Sequence, residues 1–197
     1  MSELTSQKQT LRSTLLAARE ALSPAERANL NPQIIQRMAA MPDYQRAGVV
    51  LGYMNFGSEF GGADWAGRVL ADGKRLLLPK VNRATNELDL YWVEDLDAQL
   101  EQGMWGIAEP LPARCERLNA LNAVEFATLP GLGFTKNGAR LGYGGGFYDK
   151  LLARMSPHPV LVAPAYALQV VTEIPQQITD VQVDWIVTEH ELIQCSK

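Results

Sequence analysis

Cysteine, histidine and any excess of positive charge are all scarce in this 197-residue chain, and each shortage removes a class of function. Its two cysteines, Cys115 and Cys195, stand far apart and in no metal-ligand spacing. They read as reduced thiols of a cytosolic protein, not as a disulfide framework or a zinc site. The two histidines fare no better: His158 lies between Pro157 and Pro159, and His190 lies between two glutamates. Neither has a ligand-like neighbour, and both are expected on the surface. Lys and Arg number 18 against 22 Asp and Glu, a net charge of −4, which argues against a general nucleic-acid binder. No apolar run reaches membrane-spanning length, and Met1-Ser-Glu-Leu-Thr-Ser6 lacks the charged-then-apolar layout of a signal peptide. The expectation is a cytoplasmic protein with no membrane partner.

What is present suits one globular domain spanning residues 1–197. The chain is 47% hydrophobic and 20% charged, enough apolar material to bury a core. Residues 3–22 read as an amphipathic helix, with Leu4, Leu11, Leu15, Ala18 and Leu22 within about 60° of one another on the wheel. Ser23-Pro24-Ala25-Glu26 is a capping box with proline at the first helical position, so a second helix starts there. Pro32 inside it predicts a kink or break near Leu30. The apolar run Ala47 to Met54 is a buried strand, and Ala63 to Leu70 is a helix ended by Asp72-Gly73. Strands are expected at Arg75–Val81, 87–93, Val124–Leu129, Val160–Ala163 and Trp185–Thr188. A short helix is expected over Asp95–Glu101, loop over 110–122 and a helix over Gly145–Met155. Leu88, Leu90 and Trp92 alternate with Asp89 and Tyr91, the pattern of a half-exposed strand. Strands alternating with helices predict a three-layer α/β fold, a mostly parallel sheet with helices on both faces.

The most informative segment is Leu129 to Asp149, which ends in Arg140-Leu-Gly-Tyr-Gly-Gly-Gly-Phe-Tyr-Asp149. Glycines let backbone amides approach an anion closely, and the N–H groups of a starting helix are free to donate. Arg140 offers a fork for the same anion, and Asp149 can hold the magnesium that accompanies a nucleotide. Pro130-Gly-Leu-Gly133 delivers the segment from a strand end, where open α/β sheets place ligands. The block is neither a P-loop nor a dinucleotide fingerprint. A glycine-rich turn feeding a helix is the plainer alternative.

Three further groups matter. Lys8, Arg12 and Arg19 fall at about 80–120° on the first helix, beside the leucine stripe. Charges at the edge of a buried face can reach into a cleft between the helix and the body, though spacing alone favours stems that cover apolar surface while the heads stay in water. Tyr53-Met-Asn-Phe-Gly-Ser-Glu59 follows the first strand and could hold a planar heterocycle, or could be an ordinary strand end. Asp180 and Asp184 fit turns or caps, and one of them could join Asp149 at a metal.

In order along the chain come Lys8-x-x-x-Arg12, Tyr53 to Glu59, Trp105-Gly-Ile-Ala-Glu-Pro110, Pro130 to Phe134, Arg140 to Asp149, and Asp180 with Asp184. Together these resemble the 5-formyltetrahydrofolate cyclo-ligase family, also called 5,10-methenyltetrahydrofolate synthetase. The likeness covers nearly the whole chain, and the Arg140–Asp149 block is highly specific. It implies an architecture like the ribose-phosphate isomerase and CoA-transferase group, ATP as co-substrate, magnesium, and 5-formyltetrahydrofolate as substrate. By likeness, Lys8, Arg12, Arg140, Gly142, Gly144, Gly145, Gly146, Phe147 and Tyr148 bind ATP. Met54, Glu59, Trp105, Tyr143, Gly144 to Gly146 and Phe147 bind the folate. Asp149 and Asp180 hold the metal, and Arg140 is the catalytic cation. A monomer is expected.

The resemblance also implies that the formyl oxygen takes the γ-phosphoryl group and that nitrogen 10 then closes the ring. Such chemistry needs charge neutralisation and positioning more than a strong nucleophile, which fits the lack of a Cys/His or Ser/His/Asp set. Two departures stand out. Phe60-Gly61-Gly62 occupies a stretch where the family usually starts its next helix with a small aliphatic, an aspartate and a threonine, so the folate-side loop is expected to differ. Some relatives carry Lys or Arg in the glycine run where this chain has Tyr143 and Gly145. More of the charge balance then falls on Lys8, Arg12, Arg140 and magnesium. The alternatives are a non-enzymatic folate- or nucleotide-binding paralogue, and a sugar-phosphate or acyl-transfer enzyme of the same architecture.

Overall fold

The computed structural model describes residues 3–177 and 180–196, the side chain of Met104 excepted. Helices α1 (Glu3–Glu20), α2 (Pro24–Ala40) and α3 (Pro42–Arg46) precede strand β1 (Val49–Leu51). Then come α4 (Gly62–Ala71), β2 (Arg75–Asn82), β3 (Glu87–Val93), and the hairpin of β4 (Leu100–Gln102) and β5 (Ala108–Pro110). Strand β6 (Phe126–Thr128) leads to β7 (Gly133–Thr135), β8 (Arg140–Leu141), α5 (Phe147–Ala153) and β9 (Val160–Pro164). The chain closes with β10 (Val170–Val171), β11 (Trp185–Val187) and β12 (Leu192–Gln194).

The main sheet has seven strands in the order β12-β11-β9-β6-β1-β2-β3. Strands β11, β9, β6, β1 and β2 pair in parallel, while β12 and β3 are antiparallel edges. Alternation along the inner strands sends successive side chains to opposite faces, and both faces are apolar. Val50, Leu76, Phe126 and Val162 pack with Ile34, Met38, Tyr44 and Trp65 of α2, α3 and α4. Leu51, Leu77, Ala127 and Leu161 pack on the other side with Leu151 and Leu152 of α5. The expected mostly parallel sheet is therefore present, with helices against both faces.

A second, three-stranded sheet, β10-β7-β8, was not expected. It turns the region after β6 into a hairpin, from Gly133–Thr135 to Arg140–Leu141, instead of a simple loop. Helix α1 lies on it through Leu15, which packs with Leu132, Ala139, Leu141 and Ile174.

Three local expectations are corrected. Helix α2 begins at the expected capping box but runs unbroken through Pro32. Pro32 is exposed, and fully buried Ile34 and Met38 hold the second half of the helix on the core, outweighing one lost hydrogen bond. No helix forms over Asp95–Glu101. Asp95 Oδ1 accepts from the amides of Asp97 and Ala98, both at 2.9 Å, and so makes a turn that runs into β4. In β3, Tyr91 and Val93 are buried on one face while Leu88 and Leu90 are buried on the other, so this edge strand is covered on both sides.

The Phe60-Gly61-Gly62 departure has a clear consequence. Phe60 is buried, and a Cβ on Gly62 would lie 2.2 Å from the Tyr53 carbonyl oxygen. Only glycine lets the first residue of α4 press against the 53–59 segment this closely.

Candidate active site

The site forms where α1, the glycine loop and the segment after β1 meet. The buried residues of α1 are Lys8, Leu15 and Arg19, so two of its cations lie in the covered face instead of at its solvent edge. Lys8 Nζ donates to Asp180 Oδ2 at 2.6 Å. Arg12 Nε donates to the Gly142 carbonyl at 2.9 Å. Helix α1 is thereby fixed to the glycine loop and to the segment carrying Asp180.

Arg140 opens the loop from β8 with its side chain 5% exposed. Its Nη2 donates to Asp149 Oδ1 at 2.8 Å and its Nη1 to the Pro130 carbonyl at 3.2 Å. Its Nε is buried and has no hydrogen-bond partner among the described residues, an orphaned charged donor that an anion would satisfy. Gly144 has φ +106°, and a Cβ there would stand 3.4 Å from the Arg12 guanidinium carbon. Glycine at this position therefore permits both the backbone turn and the approach of Arg12. Asp149 also accepts from the Val181 amide at 3.3 Å, which brings it beside Asp180. Asp184 is engaged elsewhere, accepting from the Leu161 amide at 2.8 Å between β9 and β11.

On the other side of the loop, Glu59 is buried and accepts from the Phe56 amide at 2.7 Å. Burial raises its carboxyl above the ordinary carboxylate value, against the Phe56 amide, the Tyr143 hydroxyl and the Arg19 charge, which lower it. The Tyr143 ring is exposed and meets exposed Phe56 edge-to-face at 6.1 Å. Met54 is half-buried against the core. Trp105 stands at the tip of the β4–β5 hairpin, 61% exposed with φ 57°. Among the described residues, no ring contact or hydrogen bond joins it to the glycine loop.

Three cations, Lys8, Arg12 and Arg140, meet at the glycine loop, with the carboxylates of Asp149 and Asp180 beside them. That arrangement suits a polyphosphate and a hard cation with oxygen ligands. A model of the 5-formyltetrahydrofolate cyclo-ligase family matches residues 4–189. The chain belongs to that family. It is 28% identical to the mouse 5-formyltetrahydrofolate cyclo-ligase, over 93% of this chain and 94% of the relative. The solved structure of Aquifex aeolicus 5,10-methenyltetrahydrofolate synthetase superposes with a TM-score of 0.82 at 35% identity, covering 96% of this chain and 93% of that one. The Mycoplasma pneumoniae synthetase shares the fold, with a TM-score of 0.72 at 22% identity over 92% and 98% of the two chains.

For this cyclo-ligase family member, the structure gathers Lys8, Arg12, Gly142, Gly144, Arg140, Asp149 and Asp180 at one side of the loop. It gathers Glu59 and Tyr143 at the other, while Met54 packs on the core and Trp105 stands exposed at its hairpin tip. Sequence reasoning did not single out Ser58 or Gln169, and it read Arg19 as a surface cation. Gln169 is buried and donates to the Gly131 and Leu132 carbonyls at 3.0 and 3.2 Å, bracing the turn before β7. Nothing in its sequence context marks it.

Proposed function

We propose that this chain is an ATP- and magnesium-dependent enzyme that cyclises 5-formyltetrahydrofolate to 5,10-methenyltetrahydrofolate, releasing ADP and phosphate. The observation that carries the reading is the meeting of α1 and the glycine loop, where Arg12 reaches Gly142 and the Arg140 Nε lacks a partner. Family membership supplies the reaction class.

In this reading Lys8, Arg12, Arg140 and the backbone of Gly142, Gly144, Gly145 and Gly146 hold the triphosphate, with Phe147 and Tyr148 enclosing the nucleotide. Glu59 takes pterin N–H groups, Tyr143 and Phe147 flank the ring, and Met54 and Trp105 complete the folate side. The formyl oxygen attacks the γ-phosphorus, an O–P bond forms, and ADP leaves. Nitrogen 10 then attacks the activated formyl carbon, the C–O bond breaks, phosphate departs and the N10 proton is lost. Arg140 stabilises charge on the phosphoryl group as it transfers. Magnesium would be held by Asp149 and Asp180 together with phosphate oxygens, and would neutralise charge there. No group of three His, Cys, Asp or Glu side chains suited to a metal exists among the described residues, and two carboxylates plus phosphates are an ordinary magnesium set.

We further infer a single cytoplasmic domain that acts as a monomer, with the architecture of the ribose-phosphate isomerase and CoA-transferase group. The test is the methenyl-folate absorbance of purified protein given 5-formyltetrahydrofolate, ATP and magnesium. It should rise only with all three present and match ADP release. Tight folate binding with no ADP released would make the chain a binding protein, and turnover of sugar phosphates or acyl donors without ATP would move it to another class.

A further inference from the structure

Arg19 is 1% exposed, and a guanidinium taken that far out of water needs partners for its N–H donors. It finds them on three different segments. Nε donates to Ser58 Oγ at 3.0 Å, Nη1 to the Gly131 carbonyl at 3.4 Å and Nη2 to the Tyr143 hydroxyl at 2.6 Å. These belong to the turn carrying Glu59, the turn before β7 and the glycine loop.

We propose that Arg19 is a positioning residue that locks Tyr143 and the Ser58–Glu59 turn into one geometry on the folate side of the site. The inference rests on the function proposed above. Tyr143 needs such a lock because it sits between Gly142 and Gly144, where the backbone is unusually free. Tyr143 is 43% exposed, and among the described residues it is held by the edge of Phe56 and, at its hydroxyl, by Arg19 and Glu59. The anchor itself is rigid, because Gly131 is also held by Gln169, whose Oε1 accepts from the Tyr166 amide at 3.0 Å. A lysine at position 19 would keep the charge, but one nitrogen on a flexible stem cannot reproduce a planar fork across three segments. Lys8 and Arg12 lie toward the other end of the same helix, so α1 carries both the nucleotide cations and the folate-side anchor.

The experiment measures KM for 5-formyltetrahydrofolate, KM for ATP, kcat and thermal unfolding for the parent, Arg19→Gln, Arg19→Lys, Tyr143→Phe and the Arg19→Gln/Tyr143→Phe double variant. Arg19→Gln is expected to raise the folate KM about tenfold or more while the ATP KM stays within about twofold. Arg19→Lys should keep most of that defect. Tyr143→Phe, which keeps an exposed ring and loses only the hydroxyl, should show part of it, and the double variant should be no worse than Arg19→Gln alone. If Arg19→Gln does not fold, Arg19→Lys and Tyr143→Phe carry the test by the same split between the two KM values. Equal rises in both KM values, full activity in Arg19→Lys, or independent multiplication of the two defects would overturn the role. A parent that forms no methenyl product sinks the proposed function and this role with it. An active parent whose variants keep its folate KM sinks only the role of Arg19.

Discussion

Lys8 and Arg140 each hold a carboxylate, at 2.6 Å on Asp180 and 2.8 Å on Asp149. In the proposed function, a triphosphate with its counter-cation would replace both partners together, with phosphate oxygens for the cations and the metal for the carboxylates. Such an exchange would leave no buried charge unpaired. Arg140 would gain more than its ion pair shows, because its Nε has no partner among the described residues. Arg140→Ala is therefore expected to lower kcat/KM for ATP about 100-fold or more, roughly 3 kcal/mol of lost stabilisation. Its unfolding temperature should stay within about 3 °C of the parent, since Asp149 keeps the Val181 amide. Steady-state kinetics with thermal denaturation checks this, and unchanged kinetics would remove Arg140 from the phosphate site. Glu59 behaves oppositely. Burial raises its carboxyl above the ordinary 4.5, so the folded chain binds that proton more tightly than the unfolded chain does. The stability it contributes is full below the unfolded value and is lost as pH rises through the folded one. Glu59→Gln, which keeps an oxygen for the Phe56 amide, should thus unfold at a higher temperature than the parent at about pH 8, while folate binding weakens. The difference should close as pH falls toward 4.5, and a difference independent of pH would mean that ionised Glu59 costs the fold nothing.

Among elements, α2 carries a removable defect. Pro32 lies mid-helix and exposed, forfeits the bond to the Ala28 carbonyl, and contributes nothing to the buried face formed by Ile34 and Met38. Pro32→Ala should stabilise the protein by about 1–3 kcal/mol and raise the unfolding temperature by several degrees at unchanged activity. A fall in unfolding temperature would show that the ring is packed usefully where it stands. The same helix illustrates what local sequence could and could not convey. Its start was readable, because Ser23 and Glu26 cap each other through contacts four residues can specify. Its continuation was not, because the packing of Ile34 and Met38, two and six residues beyond Pro32, decided it from a distance. Helix α4 ended at Asp72-Gly73 as expected, with Gly73 at φ 71°, and β2 appeared where its apolar run lay. The β10-β7-β8 sheet was invisible, since strands of two or three residues have no period to detect. For the site, the glycine loop and its flanking Arg140 and Asp149 were legible as residue types at short spacing. Arg19 was not, since periodicity gives a side chain's direction around a helix but not what stands opposite. Its place at the same azimuth as Lys8 and Arg12 was the one available signal.

At the scale of the whole molecule, the proposed reaction depends on an element attached more lightly than the rest. Two large apolar clusters cover the faces of the main sheet, whereas α1 is held on the small sheet by a satellite cluster. Leu15 is the one apolar side chain of α1 that is buried among the described residues, and it sits directly over Gly133, where a Cβ would lie 2.4 Å from its Cδ1. The other buried anchors, Lys8 and Arg19, hold by charge and hydrogen bonds to the site itself. In the proposed function this helix would supply the nucleotide cations, and it is expected to open without unfolding the sheet and to close on ligand. Leu15→Ala removes about 2–4 kcal/mol of packing, and most of that loss should fall on α1 alone. Hydrogen exchange followed by mass spectrometry should show α1 amides exchanging about 30-fold to several hundred-fold faster than in the parent. Amides of β6 and β9 should be unchanged, and saturating MgATP should restore much of the α1 protection, because in the proposed function the nucleotide would bridge Arg12 and the glycine loop. Acceleration spread evenly over α1 and the central strands would mean that α1 is part of one cooperative unit. In that case the nucleotide would meet a site already assembled, and no closing step would accompany its binding.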